Sequence, residues 1–372
     1  MRVVFCGGGT GGHVYPALTV ARALRDACPG GEPPELLYVG VKGKMDAELV
    51  AREGVAFSGV TARPLRTGDF TGTARGALAA LAGTLEARRV LARFRPDVVF
   101  ATGGYGSVGV GLAARLLGRP LLVFLPDVAA GLAVRLLAKV ATRVAVAVPP
   151  ALSSVPSPKR VVTGYPVRPE FFGAERGRAR EQLGLHPEMP VLLVSGASTG
   201  ANRLNRALLG LAPDFLRLGE VVHVCGRADE AWLMAERDKL EPELRARYHL
   251  YGYLHDMAAA MAAADLAVMR SGGSTLGELP AAGLPAVLVP GEYEGWDQSP
   301  NARYLEAEGA AVVLPQARLE AELKPTVMAL LGDGERRRHM REALARLARP
   351  QAAADLAALL VQMAGDRAKV PA

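Results

Sequence analysis

The sequence predicts an α/β protein with two doubly wound domains, each a parallel sheet with helices on both faces. The 372 residues are enough for two domains of ordinary size. Apolar runs of strand length alternate with helical patterns in both halves of the chain, which is typical of parallel sheets joined by crossover helices. Half of the residues are apolar and only 5% are aromatic, as expected for buried parallel strands and closely packed helices.

The individual elements follow from these alternating patterns. Helices are predicted between most strands of the first half, for example at 14–27, 75–93 and 129–141. The Ala-, Leu- and Arg-rich stretch 335–366 is also predicted to be helical. The predicted strands lie near 2–6, 36–40, 55–60, 97–101, 120–124, 143–148, 160–163, 191–196, 221–226, 248–253, 265–270 and 286–291.

A proline-rich spacer marks the predicted domain boundary. Six prolines lie between Pro149 and Pro169, and proline interrupts both helices and central strands. We therefore predict an N-terminal Rossmann-like domain over residues 1–163 and a C-terminal one over 164–349, with a helix at 350–366 packing back on the first. Two such domains facing each other predict a ligand in the cleft between them, at the carboxyl ends of the strands.

The charge is unevenly distributed along the chain. Residues 1–163 hold 20 Lys/Arg and 10 Asp/Glu, a net charge of +10, whereas the remainder holds 24 and 27, a net charge of −3. A basic half predicts an anionic partner, such as phosphates, a membrane surface or nucleic acid. Nucleic acid is not expected, because the sequence has no recognition motif and no aromatic stacking platform.

Cysteine usage and hydropathy bear on the compartment. Cys6, Cys28 and Cys225 are far apart and form no C-x-x-C pair, so we expect reduced thiols in a cytoplasmic protein. The chain opens on a predicted strand, so a signal peptide is not expected. It contains no apolar, charge-free run of 18 residues, so no membrane span is expected.

The first glycine-rich loop, GGGTGGHV at 7–14, fits no common nucleotide motif fully. Its G-x-G-x-x-G spacing suggests a dinucleotide site, but no acid follows the second predicted strand, where Val41 and Lys42 stand. A triphosphate loop needs Lys and then Ser/Thr, and this chain has His13 and Val14 there. What remains is a bare backbone at the positive end of a helix, which suits an anionic ligand.

His13 is the first candidate catalytic residue. The positive end of the predicted helix disfavours an imidazolium and favours a neutral imidazole that accepts a proton, so His13 suits a general base. A loop histidine bonded to the backbone is the alternative. Position alone does not separate the two.

Three more strand–glycine–helix loops occur, at 101–118, 195–205 and 269–290. In the last of them, Thr275 and Glu278 match a capping box, T-x-x-E. The same residues could instead hold a ligand, with Ser274, Thr275 and backbone N–H groups on a diphosphate and Glu278 on a ribose diol. Several such loops at strand ends across two domains predict a large phosphate-bearing ligand.

These motifs together resemble the MurG family of peptidoglycan glycosyltransferases. The resemblance rests on GGGTGGHVYPALTVA at 7–21, GGYGS at 103–107, GYPVR at 164–168 and RSGGSTLGELPAAGLPA at 270–286, and spans roughly residues 2–315. It implies a GT-B architecture of two Rossmann-like domains facing a cleft. It also implies inverting transfer of N-acetylglucosamine from UDP-N-acetylglucosamine to an undecaprenyl-diphosphate-linked muramyl-pentapeptide. No metal and no cofactor are implied.

The resemblance also implies roles for individual residues. His13 becomes the favoured base or a contact to the acceptor diphosphate. The implied donor contacts are Thr10, Gly11, Gly12, Arg270, Gly273, Ser274, Thr275, Leu276 and Gly277 for the sugar and diphosphate, Arg168 and Ser198 for phosphate or ribose, the backbone of Leu254 for uracil, Glu278 for the ribose diol, and Gln298 for the sugar hydroxyls.

The sequence departs from the family pattern at several places in the first domain. The family commonly reads His-Glu-Gln-Asn where this chain has residues 124–127, Phe-Leu-Pro-Asp. Asp127 then replaces an asparagine that contacts the donor sugar, and it is a second candidate base. Tyr165 stands where Asn usually precedes Pro-Val-Arg, and the GGYGSVG segment lacks the proline of the usual Ser-Gly-Pro. Two alternatives follow: the same donor with a different acceptor, or a non-catalytic sugar-nucleotide-binding homologue.

Basic residues beside apolar ones suggest where a membrane would bind. Arg135, Lys139 and Arg143 recur every four residues, and the segment 75–95 combines an apolar face with four arginines near its end. Such patches suit anionic lipid headgroups, at about 1 kcal/mol per basic residue near the surface. A peripheral site on the cytoplasmic face of the membrane is therefore expected, with an ordinary solvated helix face as the alternative.

Overall fold

The computed structural model describes residues 1–8, 11–27, 32–44, 46–64, 70–155, 159–196, 201–293 and 296–368. The chain divides into two compact units. Unit 1 comprises Met1–Val167 and the residues from Arg349 onward, and unit 2 comprises Arg168–Ala348. The boundary expected from the prolines falls a few residues before the observed one, because the last segment of unit 1 extends beyond its final strand.

The sheet of unit 1 is fully parallel, with the strand order β3-β2-β1-β4-β5-β6-β7. Its central strands β1, β4 and β5 are short runs of apolar residues that helices bury on both faces, as a parallel sheet requires. The strands are β1 (Arg2–Cys6), β2 (Glu35–Val41), β3 (Ala56–Val60), β4 (Val98–Ala101), β5 (Leu121–Leu125), β6 (Arg143–Val146) and β7 (Arg160–Val162).

The helices of unit 1 follow the predicted pattern with shifted ends. The first begins at Gly11 and not near residue 14, so two glycines and His13 form its first turn. The helices are α1 (Gly11–Asp26), α2 (Asp46–Arg52), α3 (Phe70–Phe94), α4 (Gly106–Leu116), α5 (Leu132–Val140) and, at the end of the chain, α16 (Ala352–Ala368), with a 3-10 helix at Pro149–Ser154.

Unit 2 has a second parallel sheet, in the order β10-β9-β8-β11-β12-β15. Its last strand was not predicted from the sequence. A two-stranded antiparallel pair lies outside this sheet. The strands are β8 (Val191–Ser195), β9 (Glu220–Val224), β10 (Tyr248–Tyr251), β11 (Leu266–Met269), β12 (Ala286–Leu288), β13 (Glu292–Tyr293), β14 (Trp296–Asp297) and β15 (Ala311–Val313).

The helices of unit 2 cover both faces of its sheet. They are α6 (Glu170–Gly173), α7 (Arg176–Leu183), α8 (Asn202–Leu218), α9 (Glu230–Arg237), α10 (Pro242–Ala246), α11 (Met257–Ala263), α12 (Thr275–Ala282), α13 (Ser299–Ala307), α14 (Leu319–Gly332) and α15 (Gly334–Leu347), with a 3-10 helix at Gln316–Arg318. Their buried leucines and alanines form the core with the sheet.

The helical stretch predicted at 335–366 is two helices that belong to different units. The break falls between α15 and α16, where Pro350 prevents a continuous helix. The second of these helices packs against α1 in unit 1. Gly164 lies against its start, since a Cβ there would be 2.7 Å from the Cβ of Arg349.

The described cysteines are free thiols. Cys6 and Cys225 are buried and unpaired, whereas Cys28 lies outside the described residues.

In the part of the chain that the structure describes, no helix combines the length and the apolar character needed to cross a membrane.

Candidate active site

The strand order reverses at one point in each sheet, between β1 and β4 in unit 1 and between β8 and β11 in unit 2. Loops that leave adjacent strands in opposite directions open a crevice at such a point, and ligands of doubly wound proteins bind there. His13 follows β1, and residues 102–105 follow β4, so both lie at the reversal of unit 1.

One hydrogen bond orients the imidazole of His13. Its Nδ1 lies 2.9 Å from the carbonyl oxygen of Thr102. Because a carbonyl oxygen only accepts, Nδ1 carries the hydrogen and donates it. In the neutral ring, Nε2 then holds the free electron pair and can accept a proton. The sequence left two roles open for His13, a base or a histidine bonded to the backbone, and this backbone bond fixes the tautomer that a base requires.

Two glycines make room for this ring. Gly103 and Gly104 have positive φ values of 88° and 74°, which side-chain-bearing residues rarely adopt. A Cβ at Gly104 would lie 2.8 Å from the carbonyl oxygen of Gly8 and 3.0 Å from Cδ2 of His13. The glycines of this loop are therefore needed for the close packing of His13.

Thr102 holds His13 from a second side. Its Oγ1 donates to the carbonyl oxygen of His13 at 2.6 Å and is 3.3 Å from that of Cys6. The residue is fully buried. Thr102 could not be predicted from the sequence, since the contact joins residues 89 positions apart.

Asp127 lies two residues beyond the end of β5, the neighbour of β4 in the sheet. It is half-buried. The carboxyl ends of parallel strands share one edge of a sheet, so both candidate bases lie on the ligand-binding edge of unit 1.

A carboxylate does stand at the end of β2, contrary to the expectation from the sequence. Asp46 supplies it from the start of α2, and its Oδ2 accepts the N–H of Val41 at 3.0 Å. A Cβ at Gly8 would be 2.6 Å from the same oxygen. Asp46 is fully buried, so it holds the backbone beside the first glycine loop and is not presented to a ribose.

In unit 2, the loop after β11 offers backbone N–H groups at the start of α12. The N–H groups of Gly273 and Ser274 donate to no acceptor within the described ranges. Those of the next three residues already bond the carbonyl oxygens of residues 272–274. The unpaired N–H groups of a helix start attract anions, so the anion-binding capacity of the segment 273–277 lies in its first two residues. Leu276 packs into the core.

The predicted capping box does not form. Ser274, and not Thr275, is the N-cap, and its side chain makes no capping bond. The hydroxyl of Thr275 donates backward to the carbonyl oxygen of Gly272 at 2.6 Å. Because the helix begins one residue earlier than the box requires, the side chain of Glu278 is not needed for capping.

Arg270, a predicted substrate contact, is bonded within the protein. The side chain is buried, and Nη1 donates to the carbonyl oxygens of Val289 and Pro290 at 3.2 and 3.1 Å. Nη2 donates to Oε1 of Gln316 at 2.6 Å. The guanidinium therefore joins β11 to the segment after β12.

Gln298 is bound through one end of its amide. Its Oε1 accepts the N–H of Gly291 at 2.8 Å, which leaves the NH2 group on the side of Gly272. Only this NH2 group is available to a sugar hydroxyl. The neighbouring Ser271 and Asn301 fix the loop, since Ser271 Oγ donates to the Gln298 carbonyl at 3.1 Å and Asn301 Nδ2 to the Ser271 carbonyl at 2.9 Å.

Glu278 has an unusual acidity. Burial raises the pKa of its carboxyl to about 7, against the opposing effects of the Arg168 charge and a hydrogen bond from Ser274. A carboxylate that ionises near neutral pH in a ligand-binding loop is typical of functional sites. Arg168 is half-buried, with its guanidinium 5.1 Å from the ring centre of Phe171.

Three of the remaining predicted contacts, Leu254, Gly11 and Gly12, lie among the described residues. Leu254 is half-buried in the turn between β10 and α11. Gly11 is buried and Gly12 is exposed in the first turn of α1. Thr10 and Ser198 lie outside the described residues.

Comparison with known proteins identifies the family. Residues 3–146 match the glycosyltransferase family 28 N-terminal domain and residues 191–356 the glycosyltransferase family 28 C-terminal domain. The chain is similar, at 42% identity over 97% of its length and 94% of the relative's, to a Roseiflexus sp. (strain RS-1) protein. That protein is named UDP-N-acetylglucosamine--N-acetylmuramyl-(pentapeptide) pyrophosphoryl-undecaprenol N-acetylglucosamine transferase. A Moorella thermoacetica protein of the same name is 39% identical over 95% of this chain and 96% of its own.

Solved structures agree with this result. The crystal structure of Acinetobacter baumannii MurG matches with a TM-score of 0.70 and 26% identity, covering 97% of this chain and 99% of that one. UDP-GlcNAc 2-epimerase from Neisseria meningitidis, bound to UDP-GlcNAc, shares the fold at 14% identity, with a TM-score of 0.69 and coverage of 97% and 100%. The class is thus a UDP-sugar hexosyltransferase with the GT-B architecture. Within that class, the chain belongs to the MurG family of glycosyltransferase family 28.

Proposed function

We propose that this protein transfers N-acetylglucosamine from UDP-N-acetylglucosamine to an undecaprenyl-diphosphate-linked muramyl-pentapeptide, with inversion at the anomeric carbon. The names of the relatives supply the donor and the acceptor. The observation that carries the chemistry is the bond from His13 Nδ1 to the Thr102 carbonyl, which leaves Nε2 as a proton acceptor.

In the proposed reaction, a muramyl hydroxyl attacks the anomeric carbon as its proton moves to Nε2 of His13. A new carbon–oxygen bond forms, the bond to the UDP oxygen breaks, and UDP leaves with the electron pair. The N–H groups of Gly273 and Ser274 and the charge of Arg168 stabilise the departing diphosphate. Glu278 accepts hydrogen bonds from the ribose diol, and the free NH2 group of Gln298 donates to the sugar.

Turnover with defined substrates tests the proposed activity. Purified protein would receive radiolabelled UDP-N-acetylglucosamine and a short-chain analogue of the lipid-linked muramyl-pentapeptide. We expect a disaccharide-pentapeptide product and release of UDP. Donor binding without product, at acceptor concentrations up to the solubility limit, would instead favour a different acceptor or a non-catalytic homologue.

We further propose that unit 1 binds the cytoplasmic face of the membrane peripherally. Leu78, Leu81 and Leu85 lie on one face of α3 with 66%, 61% and 52% of their surface exposed. α3 packs on α4, and α4 packs on α5, whose Arg135 and Lys139 are exposed. Exposed apolar residues near basic ones suit an anionic lipid surface.

Vesicle sedimentation tests this location. The protein should bind vesicles with about one-third anionic lipid and release as salt rises. The triple variant Leu78→Ser/Leu81→Ser/Leu85→Ser should lose this binding. Leu218 and Met328 are exposed apolar residues of unit 2. Replacing both by Ser should not affect vesicle binding. Equal binding by the triple variant would contradict the proposed surface.

A further inference from the structure

A proline interrupts the hydrogen bonds of α1 immediately beside His13. Pro16 lies inside the helix and has no N–H. In an α-helix that N–H would donate to the carbonyl oxygen four residues earlier, which is that of Gly12. The residue just before His13 therefore lacks its helical hydrogen-bond donor.

Tyr165 supplies the missing donor from a distant part of the chain. Its Oη donates to the carbonyl oxygen of Gly12 at 3.3 Å, across 153 positions of sequence. The side chain is 4% exposed. It comes from the segment after β7, where Gly164 takes a positive φ of 88° and packs against the start of α16.

Aromatic packing fixes the position of this tyrosine. Its ring meets that of Phe124 edge to face, with ring centres 5.9 Å apart and an interplanar angle of 64°. Phe124 in turn lies 6.4 Å from Phe100, and Phe100 lies 5.9 Å from Phe5. The contacts run across β5, β4 and β1, so the core of unit 1 determines where the hydroxyl of Tyr165 lies.

We propose that Tyr165 is a positioning residue for His13. It acts through the Gly12 carbonyl and fixes the first turn of α1, so that the imidazole keeps its Nδ1 bond to Thr102. Three bonds then surround His13: one from Tyr165 to the preceding carbonyl, one from Thr102 to its own carbonyl, and one from its ring to Thr102. The catalytic consequence rests on the proposed role of His13 as the base.

Removing only the hydroxyl tests this role. Tyr165→Phe keeps the ring and its contact with Phe124. We expect kcat to fall on the order of fivefold, since one long hydrogen bond is lost, with KM for the donor unchanged. Tyr38→Phe is the matched control, because Tyr38 is a fully buried tyrosine of the same sheet whose hydroxyl has no hydrogen-bond partner among the residues that the structure describes. Its kcat should equal that of the wild type.

A rescue separates this role from a general loss of stability. Pro16→Ala restores an N–H that can donate to Gly12, so the hydroxyl of Tyr165 becomes redundant. The double variant Pro16→Ala/Tyr165→Phe should match Pro16→Ala in kcat. A Tyr165→Phe variant with wild-type kcat, or one whose loss persists in the Pro16→Ala background, would overturn the proposal.

The ring itself gives a readout that does not depend on turnover. The ¹⁵N shifts of His13 should report the Nδ1–H tautomer in the wild type, a mixture of tautomers in Tyr165→Phe, and the Nδ1–H form again in the double variant. An unchanged tautomer in Tyr165→Phe would overturn the positioning role. If the wild type and the variants show these tautomers but the wild type makes no product, only the proposed function is contradicted.

Discussion

At the scale of single residues, the first turn of α1 around His13 is held by hydrogen bonds from two side chains that are distant in the sequence. The glycines and the helix start identified His13 itself, because they are local features of residues 7–14. Thr102 and Tyr165 hold it from 89 and 153 positions away. Such contacts depend on strand order, which a single sequence does not specify. The buried carboxylate of Asp46 was missed for a different reason: it lies only five positions beyond Val41, but at the start of α2 and not in the strand.

Removing the hydroxyl of Thr102 should lower both the free energy of unfolding and kcat. Thr102→Val keeps the shape of the side chain but loses the 2.6 Å bond to the carbonyl of His13. We expect a loss of about 1–2 kcal/mol in the free energy of unfolding and roughly a tenfold lower kcat. Thr84→Val removes a similar buried hydroxyl, bonded to the Ala80 carbonyl within α3, and should leave kcat unchanged. Equal kcat for both variants would count against Thr102.

Glu278 should make both stability and donor binding depend on pH. Its pKa is about 7 in the folded protein, raised by burial above the ordinary value of 4.5. Stability from this group is therefore complete below pH 4.5 and is lost as the pH rises through 7. Glu278→Gln, measured by thermal unfolding, should match the wild type at pH 4.5 and have a higher Tm at pH 8. Glu181→Gln, at an exposed position of α7, should show no such difference, and equal Tm shifts in both variants would contradict the assignment.

Donor binding should show the opposite preference for pH. An ionised carboxylate accepts both hydrogen bonds of a ribose diol, whereas the protonated form also competes as a donor. Calorimetric affinity of the wild type for UDP-N-acetylglucosamine should rise between pH 6 and 8. Glu278→Gln should bind about tenfold more weakly at pH 8 and lose this trend. A variant that keeps the trend would show that another group causes it.

At the scale of elements, periodicity predicted most helices and strands, and their ends were less well predicted. The start of α1 was placed too late because glycine is a poor helix former, and Gly11 and Gly12 open this helix. The capping box of α12 was shifted by one residue, and β15 was not recognised. The break between α15 and α16 follows from Pro350. This proline is visible in the sequence, but the apolar pattern of 335–366 predicted one helical stretch in spite of it.

The loop between β4 and α4 should tolerate no side chain at Gly104. In Gly104→Ala, the new Cβ would meet the Gly8 carbonyl and the ring of His13, and φ is already +74°. We expect lower Tm and a kcat reduced on the order of a hundredfold. Gly118→Ala, at the end of α4, has a φ of +61° but open space around its Cβ. In that control, backbone strain of about 1 kcal/mol should lower Tm, while kcat should not change. A normal kcat in Gly104→Ala would contradict the close packing of Gly104 against His13.

At the scale of the whole molecule, the sequence predicted two α/β domains because their strands are apolar runs and the boundary is rich in proline. The charge difference between the halves belongs to this scale as well. A helix packing back on the first domain was predicted for residues 350–366, but the return point at Arg349 and the specific contact of α16 with α1 could not be predicted. That contact depends on packing between surfaces at opposite ends of the chain.

The return of the chain predicts that α16 stabilises unit 1. Leu360→Ala removes a fully buried side chain of this helix and should cost about 2–5 kcal/mol. Val361→Ala, its half-exposed neighbour, should cost far less. Both tryptophans, Trp232 and Trp296, belong to unit 2, so tryptophan fluorescence follows that unit while circular dichroism follows both. Leu360→Ala should lower the midpoint temperature of the dichroism transition and leave that of the fluorescence transition unchanged. An equal decrease in the fluorescence midpoint would contradict the assignment of α16 to unit 1.

Two variants distinguish His13 from Asp127 as the group that accepts the proton of the attacking hydroxyl. Steady-state transfer of radiolabelled N-acetylglucosamine would be measured for the wild type, His13→Ala and Asp127→Asn, with donor affinity measured in parallel. We predict that His13→Ala lowers kcat at least a hundredfold at unchanged donor affinity, while Asp127→Asn keeps most of the activity. Near-normal turnover in His13→Ala, together with its loss in Asp127→Asn, would contradict the proposed role of His13 and make Asp127 the base.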